Sequence, residues 1–193
     1  MQRSQNWTIL LIGGASGTGK SSLAYKIAEY YAVNVREIDD IHAAVKAATT
    51  GKTHPAIHYW STGINWKEIG IAGNADWLTR VSEELVPALK AIIENHLESD
   101  VPVIIEGDFI SPEFAGSFAD PRVRAIFVHE PDNRQIVQNY LMREGGNLQQ
   151  FRADISSVYG ARLKERCQVL GIKTIEARPW ASGLERAVEA LSK

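Results

Sequence analysis

A glycine-rich segment followed by a lysine and two serines contains the residue types that point most directly to chemistry. From Gly14 to Ser21 it reads GASGTGKS, which fits the spacing G-x-x-x-x-G-K-[ST]. Glycine readily adopts the backbone angles that let successive N–H groups converge on the oxygens of a phosphate chain. The helix expected to follow would add free N–H groups and a partial positive charge at its first turn. The segment therefore predicts a binding loop for the phosphates of a nucleotide.

Two side chains of this loop have distinct predicted roles. Lys20 is long enough to reach the β- and γ-phosphates, and the hydroxyl of Ser21 is positioned to ligate Mg²⁺. We therefore expect ATP or GTP, bound together with Mg²⁺, as the ligand. The predicted nucleotide-binding residues of the loop and the following turn are Gly14, Ala15, Ser16, Gly17, Thr18, Gly19, Lys20, Ser21 and Ser22.

Acidic residues end two further predicted strands. Asp39 and Asp40 end one of them, and Glu106 and Asp108 end the other. Open α/β sheets bind ligands at the carboxyl ends of their strands, so these acids should converge with the loop on one cleft. Phosphoryl transfer needs carboxylates near the metal and near the acceptor hydroxyl. Asp40 fits either an acceptor contact or a helix cap, and Asp108 fits either an acceptor contact or a loop cap.

Apolar patterning predicts the elements that must position these residues. Continuous apolar runs favour strands buried on both faces, and apolar residues three or four apart favour helices. Strands and helices alternate, which predicts a parallel sheet with helices on both faces and right-handed crossovers. Residues 111–121 are predicted to form a loop. The predicted strands are residues 7–12, 34–40, 101–108, 123–129 and 173–177, and the predicted helices are residues 21–31, 41–48, 75–99, 133–143, 149–170 and 184–191.

Residues 49–74, called the insert below, interrupt this pattern. They carry glycines, a proline and aromatic residues without a clear period, which is typical of an ordered but irregular segment. Aromatic side chains beside polar ones are typical of pockets that hold a ring or a sugar, so the insert is expected to face the acceptor. The alternative is a subdomain with a small aromatic core of its own. His58 and Trp60 are the predicted acceptor-binding residues, in a cluster with His42, His54, Tyr59, Asn65, Trp66 and Lys67.

Composition and charge narrow the class of protein. The 193 residues fit one domain, and the formal net charge of −2 provides no overall attraction to nucleic acid or to an anionic membrane. The apolar run before the glycines is shorter than the core of a secretory signal, so we expect a cytoplasmic protein without a membrane segment. Cys167 is the single cysteine, which excludes an intramolecular disulfide.

The sequence resembles P-loop small-molecule kinases. The resemblance rests on GGASGTGKSS, REIDD, VIIEGD and RAIFVHEPDNRQIVQNYLMREGG, together with the order of strands and helices. The group contains 2-phosphoglycerate kinase-like proteins, gluconate and shikimate kinases, chloramphenicol phosphotransferases and zeta toxins. The resemblance implies a P-loop NTPase three-layer α/β/α fold in a single domain, residues 1–193. It also implies a five-stranded parallel sheet in the order 2-3-1-4-5 and a helical lid near residues 143–166.

The resemblance further implies roles for individual residues. It makes Asp39 the catalytic base or a carboxylate linked to the metal. Glu106 fits either the metal-binding acid that ends a hydrophobic strand or, as in the related kinases, an acceptor contact. Arg143 matches the arginine next to the lid, which either stacks on adenine or reaches a phosphate, and Arg152 is a second candidate for the phosphate contact. Pro179 follows the fifth strand, where related kinases hold adenine.

The expected activity is ATP-dependent transfer of the γ-phosphate to a hydroxyl of a small-molecule acceptor, by a monomer or homodimer. Lys20, Asp39 and Arg143 are the predicted catalytic residues, and Ser21 and Asp39 are the predicted Mg²⁺ ligands. Asp40, Glu106 and Asp108 complete the predicted acceptor site. One alternative is a regulatory P-loop NTPase that switches a partner, although the sequence has no N-K-x-D motif for base recognition. Another is a zeta-toxin-like kinase, which shares the fold and differs only in phosphorylating a nucleotide sugar.

Overall fold

The computed structural model describes residues 5–192 and contains a sheet of five parallel strands in the order 2-3-1-4-5. The central strand β1 pairs with β3 on one side and β4 on the other. Its residues are all buried, because helices cover both faces of the sheet. The predicted strand order is therefore confirmed. The strands are β1 Ile9–Gly13, β2 Asn34–Glu37, β3 Val103–Gly107, β4 Val123–His129 and β5 Lys173–Glu176.

Helices connect the strands on both faces and produce the three-layer α/β/α arrangement. Alternate residues of β1 point to opposite faces, so Ile9 and Leu11 join one apolar core while Leu10 and Ile12 join the other. The helices are α1 Lys20–Tyr31, α2 Ile38–Ala48, α3 Trp66–Ser99, α4 Pro112–Gly116, α5 Asn133–Glu144, α6 Gln150–Leu170 and α7 Gly183–Leu191, with 3₁₀ turns at Tyr59–Ser61 and Trp180–Ser182.

The second strand ends earlier than predicted. It stops at Glu37, and Asp39 and Asp40 lie in the first turn of α2. The chain REIDD therefore changes from strand to helix before the two aspartates rather than after them. Acidic side chains are stabilised in the first turn of a helix because the backbone dipole is positive there. Both acids still lie near the carboxyl end of the sheet because α2 follows β2 directly, but of the two only Asp39 lines the cleft.

The helix after the insert begins earlier than predicted. Helix α3 starts at Trp66, so only residues 49–65 of the insert are irregular. The helix is broken at Gly70, whose φ is 73°. The amide of Asn74 donates to the carbonyls of Trp66 at 2.6 Å and Gly70 at 2.7 Å, which satisfies groups that the break leaves unpaired. This side-chain contact is not apparent from apolar periodicity.

The predicted loop at 111–121 contains the short helix α4. Its first turn is capped by Ser111, whose hydroxyl accepts a hydrogen bond from the N–H of Phe114 at 3.1 Å. Pro112 occupies the first helical position, where its missing N–H costs nothing. Among residues 5–192, the longest and most apolar helices still fall short of what a membrane crossing requires.

Candidate active site

The glycine-rich loop joins the end of β1 to the start of α1. Gly17 and Gly19 have φ values of 76° and 89°, in the left-handed region that favours glycine. At Gly19, a Cβ atom would lie 2.4 Å from the ring of Trp180. The loop is therefore closely packed at this point, and a side chain there would displace its neighbour.

Hydrogen bonds hold the loop in shape. The hydroxyl of Thr18 donates to the carbonyl of Ala15 at 2.9 Å. The side-chain amide of Asn139, on α5, donates to the carbonyl of Gly17 at 2.7 Å. Two carbonyls of the loop are therefore occupied within the protein, and N–H groups at the start of a helix are the part of such a loop that binds a phosphate.

Lys20 begins α1 and forms an ion pair with Asp108, which follows β3. The lysine is buried. Burial by itself lowers the pKa of Lys20, but the carboxylates of Asp108 and Glu106 outweigh this effect and raise the pKa overall. The ammonium therefore stays charged inside the protein, where a phosphate group can replace Asp108 as its partner.

Glu106 lies at the end of β3 with 3% of its surface exposed. Burial raises the pKa of its carboxyl, while the nearby Lys20 and a hydrogen bond from Ser21 act in the opposite direction. Its Oε2 atom is buried without a hydrogen-bond partner among the described residues. The structure thus places Glu106 beside the hydroxyl predicted to ligate Mg²⁺.

Asp39 and Asp40 are neighbours in sequence but have different surroundings. Asp39 lines the cleft. The surrounding walls displace water and raise the pKa of its carboxyl, and repulsion from Asp108 adds to that rise. Both aspartates are exposed, but Asp40 does not line the cleft. Of the two, only Asp39 is positioned to meet a bound acceptor.

Two arginines of the lid region are held by one carboxylate. Arg143 and Arg152 pair with Glu144 at 2.5 Å and 2.8 Å. Both guanidinium groups also lie over the ring of Tyr140, at 5.3 Å and 4.2 Å from its centroid. Hydrogen bonds from Gln149 and Arg143 lower the pKa of Glu144 to about 2. The two arginines are thus gathered at the cleft around one carboxylate, and the cluster keeps one net positive charge.

The aromatic residues of the insert divide into two groups. Tyr59 is buried and stacks on Trp77 of α3, with ring centroids 4.4 Å apart. Trp60 and Trp66 are exposed and line the cleft, and Trp66 contacts Phe151 of α6 at 5.0 Å. The insert therefore has a small aromatic core of its own and also presents aromatic faces to the cleft. Contact of these faces with an acceptor stays a prediction.

The predicted site residues are only partly brought together. Eight of them line a cleft of about 1110 Å³ between the phosphate loop, the insert and the lid region. His58 is outside its lining and contacts Thr49 at 3.1 Å. Pro179 and Asp40 are also outside it. The predicted residues that line the cleft are Ser16, Lys20, Ser21, Asp39, Trp60, Glu106, Asp108 and Arg143.

The loop that contains Pro179 nevertheless reaches the phosphate loop. Arg178 forms two hydrogen bonds to the buried carboxylate of Glu130, at 2.7 Å and 2.6 Å. Trp180 then lies against Gly19. This segment is fixed beside the nucleotide loop, although Pro179 itself does not line the cleft.

Several lining residues were not predicted for the site. Tyr140 and Glu144 are on α5, so their positions depend on how α5 folds over the sheet. Phe109 follows β3. Phe151 and Glu37 also line the cleft. Their only sequence signal is proximity to predicted residues, as for Glu144 next to Arg143.

Comparisons with known proteins agree with this arrangement. No family model matches the chain. The 2-phosphoglycerate kinase of Pyrococcus horikoshii is 31% identical over 113 residues, which are 55% of this chain and 36% of that protein. The enzyme of the same name from Methanococcus vannielii is 27% identical over 118 residues, 56% of this chain and 37% of that protein. The chain therefore spans little more than a third of the length of the curated relatives it matches.

Solved structures match over nearly the whole chain. A gluconokinase from Sinorhizobium meliloti superposes with a TM-score of 0.55 at 19% identity, covering 98% of this chain and 94% of that one. Shikimate kinase from Acinetobacter baumannii superposes with a TM-score of 0.54 at 15% identity, covering 96% and 95%. The fold is that of the P-loop kinases. The predicted resemblance to P-loop small-molecule kinases is thus supported by both sequence relatives and structures.

Proposed function

We propose that the protein transfers the γ-phosphate of ATP to a hydroxyl group of a small molecule. The observation that carries the proposal is the convergence of Lys20, Asp39 and Arg143 on one cleft beside the phosphate loop. The cleft volume of about 1110 Å³ exceeds that of most single-ligand pockets and suits a nucleotide together with an acceptor.

The chain's own residues suffice for the positioning and the proton transfer. The acceptor oxygen forms a bond to the γ-phosphorus while the bond from that phosphorus to the bridging oxygen breaks, and ADP leaves with the electron pair. Asp39 orients the acceptor hydroxyl and takes its proton. Lys20 exchanges Asp108 for the phosphate chain, and Arg143 and Arg152 stabilise the negative charge on the transferred group.

The residues beside the loop fit a Mg²⁺ ion. Ser21 offers a hydroxyl, and the unpartnered Oε2 of Glu106 is an oxygen of the kind that Mg²⁺ accepts, directly or through water. Asp39 is the other predicted carboxylate for this ion, but in the proposed mechanism it acts on the acceptor instead. When bound, Mg²⁺ would neutralise charge on the phosphate oxygens. In this arrangement Glu106 serves the metal side of the site, which is the first of its two predicted roles.

The exposed aromatic side chains at the insert favour phosphate transfer to an acceptor over hydrolysis of the nucleotide. Trp60 and Trp66 provide exposed apolar faces in the same cleft as Asp39, and a hydrolase that switches a partner needs no such faces. The relatives named 2-phosphoglycerate kinase, gluconokinase and shikimate kinase suggest a hydroxyl as the acceptor group.

A coupled ADP-release assay tests the proposal. The acceptor panel contains 2-phosphoglycerate, glycerate, gluconate, shikimate, nucleosides and aminoglycosides, and each polyol is paired with an analogue that lacks one hydroxyl. We expect ADP release that depends on ATP and on one class of acceptor. Lys20→Ala should reduce that rate at least about 100-fold, because it removes a preorganised cation from the transferred phosphate.

Lys90→Ala is the matched control for this experiment. Lys90 is an exposed lysine of α3 whose partner is Glu94, outside the cleft. Its replacement should leave the rate of ADP release within about twofold of the wild-type rate. Full activity in Lys20→Ala would remove the assignment of the loop as the nucleotide site.

A further inference from the structure

Asn139 lies on α5, one helical turn before Arg143, and its side chain contacts the backbone of the phosphate loop. Its amide Nδ2 donates to the carbonyl of Gly17 at 2.7 Å. Asn139 does not line the cleft, so it is not placed to touch a nucleotide or an acceptor held there. Any effect of Asn139 on the proposed reaction must therefore pass through the loop.

The bond fixes the orientation of the peptide unit between Gly17 and Thr18. This peptide is trans, and the C=O and N–H groups of a planar trans peptide point in opposite directions. Because Asn139 holds the carbonyl of Gly17 toward α5, the N–H of Thr18 is directed away from α5. Backbone N–H groups of such loops bind phosphate oxygens. The bond from Asn139 thus sets the direction of one N–H group in the predicted phosphate site.

Gln135 orients the amide of Asn139. Its Nε2 atom donates to Oδ1 of Asn139 at 2.8 Å. Because the oxygen of the amide accepts this bond, the NH₂ group of Asn139 is the end that faces Gly17. Gln135 precedes Asn139 by one turn, so the two side chains lie on the same face of α5. The amide is therefore held in place by the protein itself, before a nucleotide binds.

Packing brings the same part of α5 against the loop. A Cβ atom on Gly17 would lie 2.9 Å from Cγ2 of Ile136 and 3.3 Å from the ring of Tyr140, and both of these side chains are buried. The ring of Tyr140 also contacts the guanidinium groups of Arg143 and Arg152. Helix α5 therefore contacts the loop and the lid arginines at the same time.

We propose that Asn139 is a positioning residue of the nucleotide site, which sets the peptide between Gly17 and Thr18 for contact with the phosphate chain of ATP. The inference rests on the proposed function and adds to it a residue outside the glycine-rich segment. Gly17 adopts several backbone conformations readily, so this peptide can rotate when nothing holds its carbonyl. Without the bond from Asn139, the nucleotide itself must order the loop, which weakens binding.

Asn139→Leu tests the proposal, because leucine has a similar volume but neither donates nor accepts a hydrogen bond. The Kd for ATP with Mg²⁺, measured by titration calorimetry, should rise about threefold to tenfold, as for the loss of one hydrogen bond. The Kd of inorganic tripolyphosphate, a probe without base or ribose, should rise by the same factor. At saturating ATP, kcat should stay within about threefold of the wild-type value, since uniform binding is what is lost.

Gln138→Leu is the matched control. It makes the same chemical change at the neighbouring position of α5, where Gln138 is exposed and does not line the cleft. Its Kd for ATP should stay within about twofold of the wild-type value. Asn139→Gln carries the same amide on a longer side chain and should recover part of the affinity that Asn139→Leu loses.

A further variant keeps the test decisive if Asn139→Leu fails to fold by circular dichroism. The hydroxyl of Asn139→Ser is too short to reach the carbonyl of Gly17, so the same rise in Kd is expected without added apolar bulk. A purely structural role of Asn139 would lower the melting temperature of the variants and leave the Kd of the folded protein unchanged.

The outcomes separate this inference from the function on which it rests. An unchanged Kd for ATP in folded Asn139→Leu or Asn139→Ser would overturn the positioning role while leaving the loop as the nucleotide site. A wild-type protein that binds neither ATP nor tripolyphosphate would count against the proposed function itself, and the inference would fall with it.

Discussion

At the scale of single residues, the ion pair of Lys20 with Asp108 is the contact that the proposed nucleotide would have to break. The lysine needs an anionic partner because it is buried, and Asp108 supplies one until a phosphate does. Asp39 is different, since its carboxylate faces the open cleft without an ion pair among the described residues. It is therefore free to contact an acceptor.

Asp39→Asn should separate nucleotide binding from turnover. The amide cannot take the proton of the acceptor hydroxyl, so kcat should fall at least about 100-fold. The dissociation constant for ATP, measured by titration, should stay within about threefold because the phosphate loop is untouched. If ATP affinity collapsed while turnover per bound ATP persisted, Asp39 would belong to the nucleotide site.

Asp40→Asn is the comparison that tests the two predicted acids against each other. Asp40 is exposed on the same helical turn and lies outside the cleft lining. A larger loss of kcat in Asp40→Asn than in Asp39→Asn would assign the acceptor contact to Asp40.

At the scale of elements, the end of α5 and the start of α6 act together through one carboxylate. Glu144 binds Arg143 from its own helix and Arg152 from the next. Gly145 and Gly146 join the helices with φ values of 67° and 75°, which glycine adopts without strain. The lid arginines are consequently paired with Glu144, and the phosphate of the proposed nucleotide would have to compete with that carboxylate for them.

Glu144→Gln should strengthen nucleotide binding. Removing the carboxylate leaves two uncompensated guanidinium groups at the cleft, so the KM for ATP should fall about threefold to tenfold at low salt. The effect should shrink at about 0.5 M salt because the ions screen the charge. The control is Glu113→Gln, which breaks a similar pair with Arg166 away from the cleft. A raised KM in Glu144→Gln would show that Glu144 orders the arginines instead of competing for them.

At the scale of the whole molecule, packing on one face of the sheet protects the single cysteine. Cys167 lies on α6 with none of its surface exposed, in the same core as β1 and α3. Burial raises the pKa of its thiol to about 12, and Glu113 adds to the rise. The thiolate required for reaction is therefore both rare and inaccessible in the folded protein.

Thiol labelling should accordingly report global unfolding. At about pH 8 the folded protein should react with a thiol reagent at least about 100-fold more slowly than the urea-unfolded chain. Val169→Cys places a second thiol at an exposed position of the same helix and should label rapidly in the folded state. Equal rates for Cys167 in the folded and unfolded protein would contradict the packing of α6 against the sheet.

The sequence alone predicted the strands, the phosphate loop and the approximate place of the acids. Residues 123–129 were predicted as a strand and form β4 with those bounds, because a continuous apolar run has few alternatives in a sheet covered on both faces. The roles of Lys20 and Ser21 follow from local spacing, since a loop of this kind positions them within a few residues. These features depend on contacts that are short along the chain.

The tertiary structure decided what the acceptor side of the cleft contains. The bonds from Asn74 to Trp66 and Gly70 bridge the break in α3, and Trp66 of α3 meets Phe151 of α6 at the cleft. Neither feature has a period or a motif, because the first depends on where one buried amide points and the second joins segments that are distant along the chain. Local residue types thus predicted a site for a nucleotide phosphate, whereas long-range packing determined which groups face the molecule that would receive that phosphate.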